Sequence, residues 1–408
     1  MNELSKAATA SEGEQKVWNA SFINVFIMNI FQMMGLFMMN ALVPTFAEHL
    51  GATAAIVGMV TSMFAVTALG VRPIVGPSTS YFSNNHLLAA ASVITILAFI
   101  CYGLADSIAM IMVGRLLHGV GMGFVAPVSI AMASNVLPSR KLASGLGIFS
   151  LGQAIATAIG PAVGLELVHH YGYQITFFIG AVIMGIVFVL SMRLKTDTPT
   201  RKAGFKIRLK DIIAGEVVVP ATMMFFLAGA YSCINSFILI YGAAAGVREI
   251  GLFFTSYALF LFVSRPFSGK LADRYGVDKA LIPGIIIFAL SFLMISYSDT
   301  LPMFLLAGAV SAFGYGICQP SVQTLCIQLV SKERRGVAGN TTFIGVDTGY
   351  LIAPTVAGII VTFVQSHGGT ELTGYAVMFR VMTIPIVLAL VIFLWKRREI
   401  VSSIKEAE

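Results

Sequence analysis

The stretch FAVTALGVRPIVGPSTSYF at residues 64–82 lies over YALFLFVSRPFSGKLADRY at residues 257–275 when the chain is aligned with itself at an offset of 193 residues. Arg72, Pro73 and Gly76 then fall on Arg265, Pro266 and Gly269. The same offset lays GMGFVAP (121–127) over GYGICQP (314–320), and Gly160-Pro161 over Ala353-Pro354. Several separate segments match without a gap, and the register holds until the final helix. The chain therefore reads as two parallel copies of one unit, residues 1–194 and 217–408, joined by a charged linker at 195–216.

Working outward, the copies are too apolar for water. Of 408 residues 57% are hydrophobic and 11% charged, and the mean hydropathy is +0.87. No single soluble core hides that much apolar surface, so the bilayer is the expected solvent. Hydrophobic stretches near span length fall at about 20–43, 54–77, 86–105, 108–134, 142–168 and 173–194. They resume at 217–240, 248–270, 278–298, 302–328, 336–364 and 374–396. Each covers the roughly 30 Å hydrocarbon layer at about 1.5 Å per residue. The fold class expected is an all-α membrane protein with twelve transmembrane helices in two pseudo-symmetric six-helix bundles. The polar start, MNELSKAATASEGEQK, runs into a first span too long for a signal peptide, so that span is expected to stay in the mature protein.

The net charge of +7 is a topology signal. Basic residues crowd every second loop: Lys6 and Lys16, Arg140 and Lys141, seven between Arg193 and Lys210, Lys270 to Lys279, Lys332 to Arg335, and Lys396 to Arg398. Alternate loops hold little beyond Arg248. By the positive-inside rule both termini and the linker are cytoplasmic, which places the chain in the cell membrane and gives no reason to expect a nucleic-acid partner. Cys101, Cys233, Cys318 and Cys326 lie inside spans without CxxC spacing, and the adjacent His169 and His170 suit an interfacial turn better than a metal site. No metal or cofactor is expected. There is no GxxxxGK[ST] loop and no nucleophile with an ordered histidine, so energy must come from an ion or substrate gradient.

Three motifs resemble one family. GKLADRYGVDKAL (269–281) is similar to the GxLaDrxGrkxxl loop motif of the major facilitator superfamily, with Gly269, Asp273 and Arg274 in place. The first-half counterpart GPSTSYFSNNHLL (76–88) has Ser80 at the Asp position. MVGRLLHGVGMG (112–123) resembles the fourth-helix motif of the drug:proton antiporter branch. GLGIFSLGQAIATAIGPAVG (145–164) resembles its fifth-helix antiporter motif, carrying Gly152, Gly160, Pro161 and Gly164, with Leu165 where a second glycine is usual. The resemblance covers essentially the whole chain. It implies a plasma-membrane transporter, acting as a monomer, that works by alternating access between halves and is not an enzyme. It also implies a gate around Asp273 and Gly269, with Arg274, Arg265 and Arg72 nearby.

Two intramembrane ions stand out. Arg115, about seven residues into helix 4, would cost about 2.5 to 3.5 kcal/mol facing lipid and is expected to face the cavity. It reads as a proton relay or an anchor for an anionic substrate group; the plainer reading is a helix-packing hydrogen bond. Asp347, near the middle of helix 11, is the candidate proton carrier, because burial favours its neutral form and a nearby arginine its ionised form. Depth counting puts Arg115 and Asp347 at similar levels, and a pair between them is open. A structural contact is the bland reading of Asp347. Glu166 and Arg380 lie near the outer boundary; Glu166 reads as a snorkelling side chain and Arg380 takes no role. The resemblance puts Asn29, Gln32, Asn40, His118, Tyr231, Asn235, Gln319 and Gln323 on cavity-lining helices. Around them, FQMMGLFMM (31–39) and MMFF (223–226) are adaptable wall or lipid-facing filler. The leading expectation is proton-coupled export of a small amphipathic compound. Proton-coupled uptake of an organic anion or metabolite is the alternative, and a non-transporting sensor or scaffold the third.

Overall fold

A computed structural model describes residues 17–137, 142–194, 212–331 and 334–407, and among these it is helical with no β-strand. The first copy holds α1 (Ala20–His49), α2 (Ala54–Tyr81), α3 (Asn84–Gly103) and α4 (Ile108–Val136), followed by one hydrogen-bonded run, Leu142–Arg193. That run breaks at Gly172, whose φ of 78° is a conformation glycine adopts without strain, and its arms 142–171 and 173–193 are α5 and α6. The second copy holds α7 (Val218–Ala244), α8 (Leu252–Tyr275), α9 (Val277–Ser296), α10 (Leu301–Gln328) and α11 (Arg335–Ser366). It ends in α12, made of Glu371–Val381 and Thr383–Ala407. Ten of the described helices are long and apolar enough to cross a membrane. One of these is the broken run, long enough to cross twice, and α8 adds the shorter apolar segment Leu252–Arg265. The passes number twelve, as the sequence predicts.

Local chemistry starts these helices where polar residues follow a turn. The side chains of Asn19, Thr53 and Thr370 accept hydrogen bonds from the backbone N–H of Phe22, Ile56 and Thr373, satisfying donors that a helix start leaves free. Pro44, Pro127, Pro161, Pro283, Pro320 and Pro354 sit inside helices, where neighbouring helices offset the lost hydrogen bonds. Large apolar side chains on the outer surface, such as Val182, Leu259, Phe363 and Trp395, are exposed, as hydrocarbon-facing residues should be.

The repeat survives as packing. In the first copy α1 packs on the α5–α6 run, and α4 on α2 and α3; in the second α7 packs on α11, and α10 on α8 and α9. Close approaches recur at the same offset. A Cβ on Gly121 of α4 would overlap Thr95 of α3, and one on Gly314 of α10 would lie 2.5 Å from the backbone N of Phe288 of α9. One on Gly123 would overlap Val71, and one on Gly316 would overlap Ser264. Thr95 and Phe288, like Val71 and Ser264, stand 193 apart. Small residues thus let backbones approach at equivalent points in both copies.

Most of the linker lies outside the described residues. Its far end is fastened to α11: Asn340 Nδ2 donates to Ile212 O at 2.9 Å, the Ala214 N–H donates to Thr341 Oγ1 at 2.8 Å, and Glu216 pairs with Arg334.

Candidate functional site

The halves meet chiefly where α2 crosses α11 and where α5 meets α8. At the start of α2 the Ala55 N–H donates to Thr362 Oγ1 at 3.1 Å. Further along, the Ser62 and Thr355 hydroxyls share a hydrogen bond of 3.0 Å. Between these, Gly58 faces the Pro354 carbonyl and Gly358 faces that of Ala54 so closely that no Cβ fits at either. The last polar contact along the seam is an ion pair: Arg72 Nε donates to Asp347 Oδ2 at 2.7 Å. The Arg72 guanidinium also lies over the Phe343 ring, 4.7 Å from its centre and one turn before Asp347. Arg72 is 9% and Asp347 8% exposed, so the pair is shielded from water. Arg72 stands 18 residues after Ala54, about 27 Å along the helix at 1.5 Å per residue. The seam thus runs from the loop end of α2 to well past mid-depth.

On the opposite face, which carries the chain termini, the polar contacts above stay within one half. Asn19 Nδ2 donates to Val136 O at 2.8 Å and Asn85 Nδ2 to Leu194 O at 3.3 Å in the first copy, while the Ile212, Ala214 and Glu216 contacts are within the second. Among the described residues, Arg72–Asp347 is the only ion pair joining the halves. Breaking such a buried pair by removing one partner typically costs about 3 to 5 kcal/mol.

Arg115 is not Asp347's partner. It is fully buried inside the first copy, where its Nη1 donates to Asn40 Oδ1 at 3.1 Å and its Nε and Nη2 have no hydrogen-bond partner. The Phe64 ring lies 6.0 Å away. His118, one turn along α4, is also fully buried, packed edge-on to Phe64 and Phe99, with Nδ1 3.4 Å from the Tyr102 hydroxyl. In this conformation Arg115 and His118 sit in a polar knot walled by aromatic rings. Depth counting finds a residue's level but not its direction around the helix.

The other expected cavity residues divide by half. Asn29 Nδ2 reaches Phe149 O at 3.5 Å, and Gln32 Oε1 accepts from Ser129 Oγ at 3.4 Å, both inside the first copy. In the second copy Asn235 Nδ2 donates to the Tyr350 hydroxyl at 3.3 Å, Tyr231 stacks on Tyr315 with ring centres 4.5 Å apart, and Gln323 is half-buried on α10. Gln319 Oε1 accepts from Arg265 Nη2 at 3.2 Å. Of these tyrosines the sequence singled out only Tyr231; Tyr257, Tyr315 and Tyr350 come from the structure.

Of the expected gate, Arg72 joins the seam and Arg265 the second-copy cluster. Gly269, Asp273 and Arg274 fall on α8, but their side chains lie outside the described residues. The antiporter-motif glycines all face α1: Cβ atoms on Gly152, Gly160 and Gly164 would come within 3.0 Å of Asn29, Met34 and Met38. Pro161 follows Gly160 within α5. Leu165, in place of the usual glycine, fills the space opposite Gly251, the residue just before α8, across the halves. Glu166 pairs with His170 at 2.8 Å on the exposed surface, and Arg380 lies over the Tyr297 ring. No group of three or more metal-ligating residues occurs among the described residues.

The family model described as Major Facilitator Superfamily matches residues 25–247 and 220–408. The chain belongs to the Major Facilitator Superfamily. It is therefore a multi-pass membrane transporter, in keeping with its spans. It is 23% identical over 343 residues to a multi-drug resistance efflux pump PmrA homolog of Lactococcus lactis, covering 78% of this chain and 83% of that one. It is 26% identical over 344 residues to the multidrug resistance protein MdtG of Enterobacter lignolyticus, covering 77% and 80%. Among solved structures, the nucleoside transporter NupG superposes with a TM-score of 0.73 at 13% identity, over 92% of this chain and 99% of that one.

Proposed function

We propose that this transporter exports a small amphipathic organic compound in exchange for protons, with the Arg72–Asp347 pair as the element that couples the proton to the movement of the halves. The observation that carries the reading is the pair itself, a deeply placed carboxylate whose counter-charge sits on the other half. Rocking the halves apart along α2 and α11 must separate the two charges. Asp347, parted from Arg72 in a low-dielectric setting, is held in its neutral form, since an isolated charge there is costly. When the halves close again, Arg72 approaches and the proton leaves.

With the termini cytoplasmic, as the basic loops imply, the seam lies on the outer side, and we read the conformation described as the inward-open one. The ionised pair then holds the inward-open state, and substrate entering from the cytoplasm drives the seam open. Asp347 takes a proton from outside as substrate leaves, and releases it inward when the pair re-forms. Each turn moves substrate out and a proton in. The multidrug efflux names of two relatives support this direction.

Uptake is the second reading, because a carboxylate that takes its proton while open to the outside serves symport as well as exchange. The sign of a pH jump in inside-out vesicles separates them. Acidifying the lumen should draw substrate into the lumen under export and expel it under uptake. The test substrate is the compound that differs most between metabolite profiles of cells with and without the protein.

A further inference from the structure

Arg72 and Arg265 are repeat mates, yet their surroundings differ. Arg72 reaches across the seam to Asp347, whose counterpart 193 residues earlier is Ala154. Arg265 therefore has no carboxylate at the equivalent place, and among the described residues its hydrogen-bond partner is the neutral Gln319 at 3.2 Å. It is only half-buried.

The same copy carries four tyrosines, one each from α7, α8, α10 and α11, with Tyr257 two turns before Arg265 on α8 and Tyr315 one turn before Gln319 on α10. Tyr231 stacks on Tyr315 and lies 5.5 Å, centre to centre, from Tyr257. The Tyr350 hydroxyl accepts from Asn235 Nδ2, one turn along α7 from Tyr231. The Tyr257 side chain is 1% exposed, and its hydroxyl makes no hydrogen bond. Such a group costs stability unless something else satisfies it. Packing does not call for this chemistry: the repeat mates are Met38, Phe64, Met122 and Thr157, which carry one hydroxyl between them, and Gln319 maps to Ala126. One copy fills the space with apolar side chains. The other sets hydroxyl-bearing rings on the helices that carry Arg265 and Gln319.

We infer that Arg265, Gln319 and the tyrosine cluster form the substrate subsite for an oxyanion carried on an aromatic or otherwise apolar body, so that the transported compound is an amphipathic organic anion. The guanidinium offers a paired-donor face to a carboxylate or phosphate, the tyrosine hydroxyls supply further donors, and the rings cover the apolar part. This rests on the reading of the chain as a transporter of amphipathic organic compounds and names their charge.

The test measures binding to the full-length protein in lipid nanodiscs, with no proton gradient, by thermal shift. The probes are 2-naphthoate and 2-naphthyl phosphate, against neutral 2-naphthamide and cationic 2-naphthylmethylammonium. One or both anions should raise the melting temperature at millimolar concentration, and the amide and ammonium should not. Arg265→Gln should remove the shift and Arg265→Lys retain part of it. Tyr257→Phe should leave the unliganded melting temperature unchanged or higher, because it deletes an unsatisfied hydroxyl, and weaken anion binding about tenfold. Arg265→Lys and Tyr257→Phe keep the charge balance, so the test stands even where Arg265→Gln does not fold. Equal shifts from the amide or ammonium, no shift from either anion, or undiminished binding in both Arg265→Gln and Tyr257→Phe would overturn the proposal. Because binding is read without a gradient, a failure of proton coupling at Asp347 leaves this result untouched, and the converse also holds.

Discussion

Asp347 holds its charge inside the protein because Arg72 answers it from the other half, and this pairing sets what single substitutions do. Arg72→Ala leaves a buried carboxylate uncompensated and should destabilise the described conformation by about 3 to 5 kcal/mol. Adding Asp347→Asn should recover much of that loss, a coupling that a double-mutant cycle on melting in detergent measures. Asp347→Asn alone should leave residual flux that no longer responds to pH; flux with its normal pH dependence would remove Asp347 from the coupling step. Arg115→Ala should abolish flux at normal expression, because the guanidinium organises Asn40 on a neighbouring helix. Full flux would reduce Arg115 to packing. That both ions turn away from lipid was legible in the sequence, since charge inside a span is costly anywhere. Their partners were not. Arg72 lies 275 residues from Asp347, and depth along a helix says nothing of the direction a side chain takes.

The α2–α11 seam is held by backbone proximity, which makes glycine its sensitive residue. A Cβ at Gly58 or Gly358 would strike a carbonyl of the opposing helix. Gly58→Val and Gly358→Val should therefore push the helices apart and raise the reactivity of cysteines placed along the outer part of α11 toward a membrane-impermeant thiol reagent. Gly70→Ala is the matched control: nothing lies within 4 Å of its Cβ position, so it should not change reactivity, and its helix propensity should stabilise α2 by up to about 1 kcal/mol. Unchanged reactivity in both valine variants would contradict the seam as described. The other seam, α5 against α8, is built differently, with Leu165 filling the space before Gly251. The sequence showed Leu165 as a departure from a glycine motif. Its meaning needed the partner helix, because the motif's own glycines serve α1.

At the scale of the molecule, the repeat supplies two halves that pack alike and differ in their charged centres. Twelve spans and the 193-residue offset could be read from hydropathy and self-alignment, because both are properties of the chain taken in order. Which side is closed is a property of contacts between halves and could not be read that way. The central claim is that the Arg72–Asp347 pair holds the outer side shut. It is tested most directly by measuring the distance between spin labels at Thr53 and Ser366, exposed residues at the outer ends of α2 and α11, in a variant whose native cysteines are replaced by serine. At neutral pH the account predicts one dominant short distance, with a longer population appearing on acidification or in Asp347→Asn. An Asp347→Asn distribution identical to that of the parent at both pH values would contradict it.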